Sequence, residues 1–376
     1  MRSNSNDILI PVVLCFVPHC VTHGKKEKMG AQVEYQKNVN KIFNSCCIDG
    51  LKALPDKFAH CCVTSPPYYG LRDYGVSGQI GLEETPEDYI GRLVDVFREV
   101  RRVLRNDGTF WLNIGDSYAG SGHGYLSEIR GKQATNKGTL FMENRPPTIV
   151  PVGLKPKDLI GIPWMLAFSL RADGWYLRQD IIWHKPNPMP ESVKDRCTKS
   201  HEHIFLLSKS AKYYFDHEAL LEPAAYDGRK DTTFKGSDKY SGADTGLGKQ
   251  SFSTTGHDRW KQKISVFGNK NQTGTKRKDA GNAWTYLPAR SKRDVWTVCT
   301  EPEPEAHFAC FPQKLIVDCI KAGCPEGGIV LDPFMGSGTT AVVARKLNRN
   351  YVGFELNAEY VKIAERKLRR ELGIFV

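Results

Sequence analysis

Apolar residues recur along this chain in two patterns, one with the spacing of helices and one with the compactness of buried strands. The clearest helix is predicted over residues 86–104, where apolar side chains recur every three or four positions. Its start is marked by Thr85 as a capping residue, by Pro86 at the first position, and by Glu87 and Asp88 in the first turn. Segments of both kinds alternate, which predicts an α/β fold.

The other predicted elements follow the same alternation. Residues 39–54 are predicted to form a strand, a turn and a short helix. Further strands are predicted at residues 60–64, 109–114, 175–183, 203–208, 328–331 and 350–354. Further helices are predicted within residues 158–172 and at 312–322, 339–347 and 358–372. We expect residues 106–108 to form a turn before the strand at 109–114, and residues 212–215 to pair in a hairpin with the strand at 203–208.

Between about residues 222 and 295 the apolar periodicity disappears, and Gly, Ser, Thr, Lys and Asn dominate. Such a stretch is either a linker or an irregular recognition segment that orders on its target. We therefore divide the chain into an N-terminal extension (1–30), a first half of the main domain (31–221), an inserted irregular region (222–297) and a second half of the domain (298–376).

The N-terminal extension contains a ten-residue apolar run at residues 8–17, which is too short to span a bilayer. A signal-peptide core is one interpretation of this run. We favour a plain extension before the domain, because Arg2 is the only cation upstream and no clear cleavage site follows.

Charge is concentrated in the irregular region. The chain has 376 residues, a formal net charge of +11 and a pI near 9.0. Residues 223–295 contain 15 Lys and Arg against 7 Asp, a local net charge of +8. Such an excess favours a polyanionic partner.

The 11 cysteines predict neither zinc binding nor a disulfide framework. No two of them have the Cys-x-x-Cys spacing of structural zinc sites, so we expect no metal. Reduced thiols in an intracellular protein are the better interpretation.

Two short motifs carry the candidate chemistry. Ser65, Pro66, Pro67 and Tyr68 follow a predicted strand, where a stiff turn can present a hydroxyl, carbonyl oxygens and an aromatic face to a small planar group. An apolar strand also leads into Asp332-Pro-Phe-Met-Gly336-Ser-Gly338-Thr339 and then into a helix, the context that a nucleotide-binding glycine loop needs. A dinucleotide-binding GxGxxG loop is weakened as an alternative by Ala341 at the third glycine, and no P-loop Gly-Lys-Ser/Thr follows.

Together these motifs resemble those of site-specific DNA amino-methyltransferases, the cytosine-N4 and adenine-N6 family, in the order that places the catalytic motif before the cofactor motif. The resemblance covers residues 38–221 and 300–372. It implies a Rossmann-like sheet, S-adenosyl-L-methionine as methyl donor, and double-stranded DNA as substrate. The cofactor residues that it implies are Asp332, Phe334, Gly336, Ser337, Gly338, Thr339, Glu355, Asp49, His307 and Pro312.

The catalytic residues that the resemblance implies are Ser65, Pro66, Pro67 and Tyr68. Base amines are poor nucleophiles because the nitrogen lone pair is delocalised into the ring, so acceptors for their hydrogens would favour attack. Residues 108–116 and 182–190 resemble segments that shape the target-base pocket, and 196–205 resembles the strand entry after them. In this family Ser-Pro-Pro-Tyr is associated mostly with cytosine N4, which we therefore favour over adenine N6.

The inserted region 222–297 occupies the place where this family carries its target-recognition region. We expect DNA contacts there from Lys276, Arg277, Lys278, Arg290, Lys292 and Arg293, although a flexible solvated loop is the alternative. A catalytically silent DNA-binding module is an alternative of another class. A methyltransferase of RNA or of protein amides is more distant, because such relatives usually carry the cofactor loop first. We expect an intracellular protein without a membrane partner, and a cognate restriction endonuclease is a candidate partner.

Overall fold

The computed structural model describes residues 39–71, 75–120, 150–223, 276–278, 284–286, 289–301 and 311–373. The helices in these ranges are α1 (Cys47–Ala53), α2 (Pro86–Val103), α3 (Ile162–Ala172), α4 (Gln313–Gly323), α5 (Thr339–Lys346) and α6 (Ala358–Leu372). The strands are β1 (Lys41–Asn44), β2 (Ala59–Thr64), β3 (Leu104–Ile114), β4 (Tyr176–His184), β5 (His201–Ser208), β6 (Leu221–Pro223), β7 (Lys276–Lys278), β8 (Trp284–Tyr286), β9 (Ala289–Ser291), β10 (Val295–Thr297), β11 (Ile329–Asp332) and β12 (Asn350–Glu355).

Eight strands form one mostly parallel sheet in the order β1-β12-β11-β2-β3-β5-β4-β10. Only β5 runs against its neighbours β3 and β4, while β10 lies parallel to β4. The carboxyl ends of β2, β3, β4 and β11 therefore meet at one edge of the sheet, where ligands bind in open α/β folds. Two short ladders, β6 with β9 and β7 with β8, lie outside this sheet.

Helices cover both faces of the sheet. Along β2, Cys62 packs with α1, α2 and α3, whereas the adjacent Cys61 packs with α4, α5 and α6. In β11, Leu331 and Val330 divide between the faces in the same way, as the two-residue repeat of a strand requires. The predicted α/β, Rossmann-like fold is confirmed. No helix in the described ranges has the length and apolar character needed to cross a membrane.

The helix expected within residues 158–172 is present and starts at Ile162, because Gly161 before it has a left-handed φ of +87°. Two local predictions were wrong. Strand β3 starts at Leu104, and the expected turn at 106–108 falls within a bulge where the register against β2 shifts. Residues 212–215 do not pair with β5, because β3 and β4 already occupy both edges of that strand.

Candidate active site

Asp332 joins the two sequence motifs at the carboxyl edge of the sheet. Strands β2 and β11 are parallel neighbours, so Thr64 at the end of β2 lies beside the end of β11. Thr64 Oγ1 donates to Asp332 Oδ1 (2.5 Å), and Thr340 Oγ1 donates to Asp332 Oδ2 (2.6 Å). The N–H of Phe334 donates to Oδ1 as well (3.0 Å). One carboxylate thus ties the strand before Ser65 to the glycine loop and to α5.

The carboxyl group of Asp332 is shielded from solvent. Its side chain is almost fully buried, with 1% of its surface exposed. Burial raises the pKa of Asp332 to about 6, while the donors from Thr340, Thr64 and Phe334 act in the opposite direction. A buried carboxyl with three hydrogen-bond donors is suited to holding the glycine loop in place.

The two glycines of the loop have different structural roles. Gly336 and Gly338 have φ values of +52° and +83°, in the left-handed region that favours glycine. A Cβ on Gly338 would lie 2.8 Å from the Cβ of Ala364, so this glycine allows α6 to pack closely. A Cβ on Gly336 would meet only the carbonyl oxygen of Phe334, at 3.9 Å. The backbone at Gly336 therefore leaves room for a ligand.

Glu355 closes the loop from the next strand. Its Oε2 accepts from the N–H of Gly336 (2.9 Å), and its Oε1 accepts from the N–H of Asn357 (2.8 Å). Burial raises the pKa of Glu355, and these backbone donors oppose the shift. Because each carboxylate oxygen can accept more than one hydrogen bond, Glu355 retains capacity to bind the hydroxyls of a ligand.

The turn at residues 65–68 is supported from beneath by α2. Tyr89 of that helix is buried, and its Oη donates to the carbonyl oxygen of Pro67 (2.7 Å). The two prolines have fixed φ angles, which limits the conformations of the turn. The turn is therefore arranged before any ligand binds.

Tyr68 is anchored at its hydroxyl. Tyr68 Oη donates to Glu202 Oε2 (2.8 Å), and Asn113 Nδ2 donates to the same oxygen (3.2 Å). Glu202 also forms an ion pair with Lys185. Burial and the nearby charge of Glu202 raise the pKa of Tyr68 well above its usual value, so the phenol remains protonated.

Both motifs line one cleft. The residues that line it include Ser65, Pro66, Pro67, Tyr68, Phe311, Asp332, Phe334, Gly336, Ser337, Thr339, Glu355 and Asn357. Cys46, Cys47 and Ile48 complete the wall beside α1. Among the described residues, no group of three or more His, Cys, Asp or Glu could hold a metal ion.

The structure does not bring every predicted cofactor residue to the cleft. Asp49 lies exposed in the first turn of α1, where its neighbours Cys47 and Ile48 are the residues that face the cleft. Pro312 is buried as the residue before α4, while Phe311 beside it lines the cleft. His307 lies outside the described residues.

Three of the predicted DNA-binding cations have acidic neighbours. Arg290 and Arg293 both contact Glu222 Oε1, at 2.9 and 3.3 Å, and Lys292 pairs with Asp318. Arg293 remains largely exposed, with 71% of its side-chain surface accessible. Lys276–Lys278 form β7, which pairs with β8. The role of these six residues in binding DNA stays a prediction.

Sequence reasoning missed the residues that support the motifs. Thr64 and Thr340 donate to Asp332, and Tyr89 holds the carbonyl of Pro67. For Thr64 a signal was available, because a buried aspartate at a strand end needs donors from the adjacent strand. For Tyr89 the helical pattern of apolar residues gave no signal.

Comparisons with known proteins agree with this architecture. The family model described as DNA methylase, of the N6 and N4 type, matches residues 59–366. The Type II methyltransferase M.SmaI of Serratia marcescens is 47% identical over 331 residues, which cover 88% of this chain and 91% of that relative. M.Cfr9I of Citrobacter freundii is 43% identical over 345 residues, with 92% and 93% covered.

Solved structures share the fold at lower sequence identity. The PvuII DNA methyltransferase, described as cytosine-N4-specific, has a TM-score of 0.51 and 15% identity, with 86% of each chain covered. A Thermus thermophilus protein solved in complex with S-adenosyl-L-methionine has a TM-score of 0.50 and 20% identity, with 89% of this chain and 95% of that chain covered. The family model spans most of the chain, and M.SmaI and M.Cfr9I align with it over about nine tenths of their length. The chain therefore belongs to the family of DNA methylases that act on the amino groups of cytosine N4 or adenine N6.

Proposed function

We propose that this DNA methyltransferase transfers a methyl group from S-adenosyl-L-methionine to the exocyclic N4 of cytosine in DNA. The observation that supports methyl transfer is the shared cleft, which Ser65 and Tyr68 line together with the glycine loop. The choice of cytosine depends on Ser65, the residue associated with N4 chemistry in proteins that carry this motif.

The cleft suits a nucleoside-bearing sulfonium. Gly336 leaves its backbone accessible, Glu355 offers carboxylate oxygens for ribose hydroxyls, and Phe334 and Phe311 contribute apolar walls. We therefore assign cofactor binding to these residues together with Ser337 and Thr339. When bound, S-adenosyl-L-methionine supplies an electrophilic methyl group for direct displacement.

The residues at 65–68 would act on the base. The Ser65 hydroxyl and the Pro66 carbonyl oxygen are acceptors for the two amino hydrogens, which favours the tetrahedral, more nucleophilic nitrogen. The carbonyl of Pro67 is already bound by Tyr89, so it is not counted among these acceptors. Tyr68 would present its ring to a base rotated out of the duplex.

Product analysis tests this function directly. The protein would be incubated with unmethylated DNA and isotopically labelled S-adenosyl-L-methionine, and the digested nucleosides would be identified by mass spectrometry. We expect labelled N4-methylcytosine. Labelled N6-methyladenine would overturn the cytosine assignment, and absence of any product from cofactor-bound protein would support a silent DNA-binding module.

We also propose that residues 222–297 form the target-recognition region between catalytic and cofactor halves at 31–221 and 298–376. The local net charge of +8 in residues 223–295 supports contact with the phosphate backbone. The relatives M.SmaI and M.Cfr9I are named Type II methyltransferases, which suggests a cognate restriction endonuclease as functional partner. If so, plasmid DNA from cells expressing the chain should resist cleavage by endonucleases that recognise one sequence. It should remain sensitive to the other endonucleases of a panel.

A further inference from the structure

A partly buried polar network surrounds the hydroxyl of Tyr68, the residue proposed to stack on the target base. Glu202 from β5 accepts from Tyr68 Oη at 2.8 Å, and Asn113 from β3 donates to the same carboxylate oxygen at 3.2 Å. Lys185, the first residue after β4, pairs with the other oxygen of Glu202. Residues from β3 and β5, and the residue that follows β4, thus meet around the Glu202 carboxylate that binds the phenol.

The ion pair of this network is not a solvated surface contact. Only 18% of the Lys185 side chain and 13% of the Glu202 side chain are exposed. The Lys185 ammonium also lies 4.2 Å from the ring centre of Trp183, whose Nε1 donates to the carbonyl oxygen of Val298 (2.8 Å). Partly buried charges need several partners, and here the donors around Glu202 are Lys185, Asn113 and Tyr68.

Gly115 lies against the Tyr68 ring. A Cβ at Gly115 would lie 2.7 Å from Tyr68 Cε2 and 3.4 Å from Glu202 Cγ. The backbone of Gly115, which carries no side chain, therefore lies against both Tyr68 and Glu202. With its hydroxyl bound and its ring in contact with Gly115, Tyr68 has little freedom to rotate about χ1 and χ2.

We infer that Glu202 is a positioning residue that sets the ring plane of Tyr68 for the incoming base, with Lys185 orienting the Glu202 carboxylate. The inference rests on the proposed function, because it assigns to Tyr68 the role of stacking platform. A platform set in advance lowers the entropy lost when the base arrives, which acts on turnover rather than on cofactor affinity. A purely structural ion pair would instead affect folding and all ligands alike.

A double-mutant cycle separates these two roles. Tyr68→Phe removes only the hydroxyl, and Glu202→Gln keeps the shape of the side chain but removes its charge. If Glu202 acts through the hydroxyl, each single variant should lower single-turnover methylation about tenfold or more. The double variant should then be no slower than the slower single variant, because Tyr68→Phe already removes the hydroxyl through which Glu202 would act.

Cofactor affinity and folding provide the second readout. We expect both single variants to bind S-adenosyl-L-methionine within about twofold of wild type and to unfold cooperatively. Glu191→Gln is the control, because Glu191 forms a partly buried ion pair with Arg196, with 29% of its side chain exposed against 13% for Glu202, and has no contact with Tyr68 in the described structure. It should methylate at the wild-type rate. Lys185→Arg should retain more activity than Lys185→Met.

The outcomes distinguish this inference from the proposed function. Wild-type protein that yields no methylated nucleoside would overturn both. Wild-type activity together with Glu202→Gln at the wild-type rate would overturn only the positioning role. Independent, multiplicative losses in the double variant would show that Glu202 does not act through Tyr68, and a loss of cofactor binding equal to the loss of rate would assign it a structural role.

Discussion

Ser65 is the residue on which the chemical proposal depends most. Because its hydroxyl would accept from the amino group only as that nitrogen becomes tetrahedral, Ser65→Ala should lower kcat about a hundredfold. The dissociation constant for S-adenosyl-L-methionine should change less than about twofold. Tyr68→Ala should likewise lower kcat far more than it changes cofactor affinity, since it removes the proposed stacking face.

The matched control for Ser65 is Ser210→Ala, which removes an exposed hydroxyl that donates to the carbonyl oxygen of Asn106 (2.7 Å). It should leave both constants unchanged. Single-turnover rates and isothermal titration of the cofactor measure the two quantities separately. Equal losses of rate and of cofactor affinity in Ser65→Ala would contradict the role assigned to this residue.

Asp332 makes a prediction about pH. Its pKa is about 6 in the folded protein and near 3.8 when unperturbed, so between these values the folded state binds more protons than the unfolded state. The contribution of this carboxyl to stability should therefore fall by about 1.4 kcal/mol per pH unit as pH rises through that window, and become constant above it. The Asp332→Asn variant has no titratable group at this position, so its stability should lack this pH dependence.

Urea unfolding of wild type and Asp332→Asn from pH 4 to 7 measures this effect. The free energy of unfolding of wild type minus that of the variant should decrease up to about pH 6 and then remain level. If the difference instead grows with pH, the donors Thr64 and Thr340 outweigh burial, and the carboxylate is the favoured form.

At the scale of elements, the glycine loop depends on α6. Ala at position 338 would combine a left-handed φ of +83° with a Cβ 2.8 Å from that of Ala364. Backbone strain of about 1 kcal/mol and overpacking of about 1–3 kcal/mol should add in Gly338→Ala.

Gly153→Ala is the control for this element, because Gly153 has a φ of +87° but nothing within 4 Å of its Cβ position. It should show the strain alone. Chemical denaturation of both variants separates packing from strain. If Gly338→Ala and Gly153→Ala lower the free energy of unfolding equally, α6 moves away from the loop without an energetic cost.

At the scale of the whole molecule, the charge excess predicts how the protein holds DNA. Replacing all three cations of Lys276–Lys278 by Gln should weaken binding and reduce the slope of log affinity against log salt by about 0.9 for each phosphate that is no longer neutralised. Fluorescence anisotropy with labelled duplex DNA at several salt concentrations measures that slope.

A control with two cations rather than three lies on α6, where Lys362 and Arg369 are exposed and pair with Glu359 and Glu365. Replacing both by Gln should change the slope less than the triple variant does. Unchanged affinity of the triple variant at low salt would remove Lys276–Lys278 from the DNA-binding surface.

Much of the fold could be predicted because its signals are local. Helix α2 has apolar residues at helical spacing and a Thr85 cap that accepts from the N–H of Asp88, so its first residue was predicted correctly and its end to within one residue. The hairpin expected for β5 was wrong because strand pairing depends on which edges are already occupied. No local pattern contains that information.

The amino-acid sequence by itself determined the α/β class, the two motifs and the family, because strand and helix periodicity and short motifs are properties of neighbouring residues. Only the tertiary structure decided how those motifs are connected. Asp332 binds the hydroxyl of Thr64, and Tyr68 meets Glu202, across 268 and 134 positions of the chain. Such contacts depend on sheet order and strand direction, which bring the carboxyl ends of distant strands to one edge.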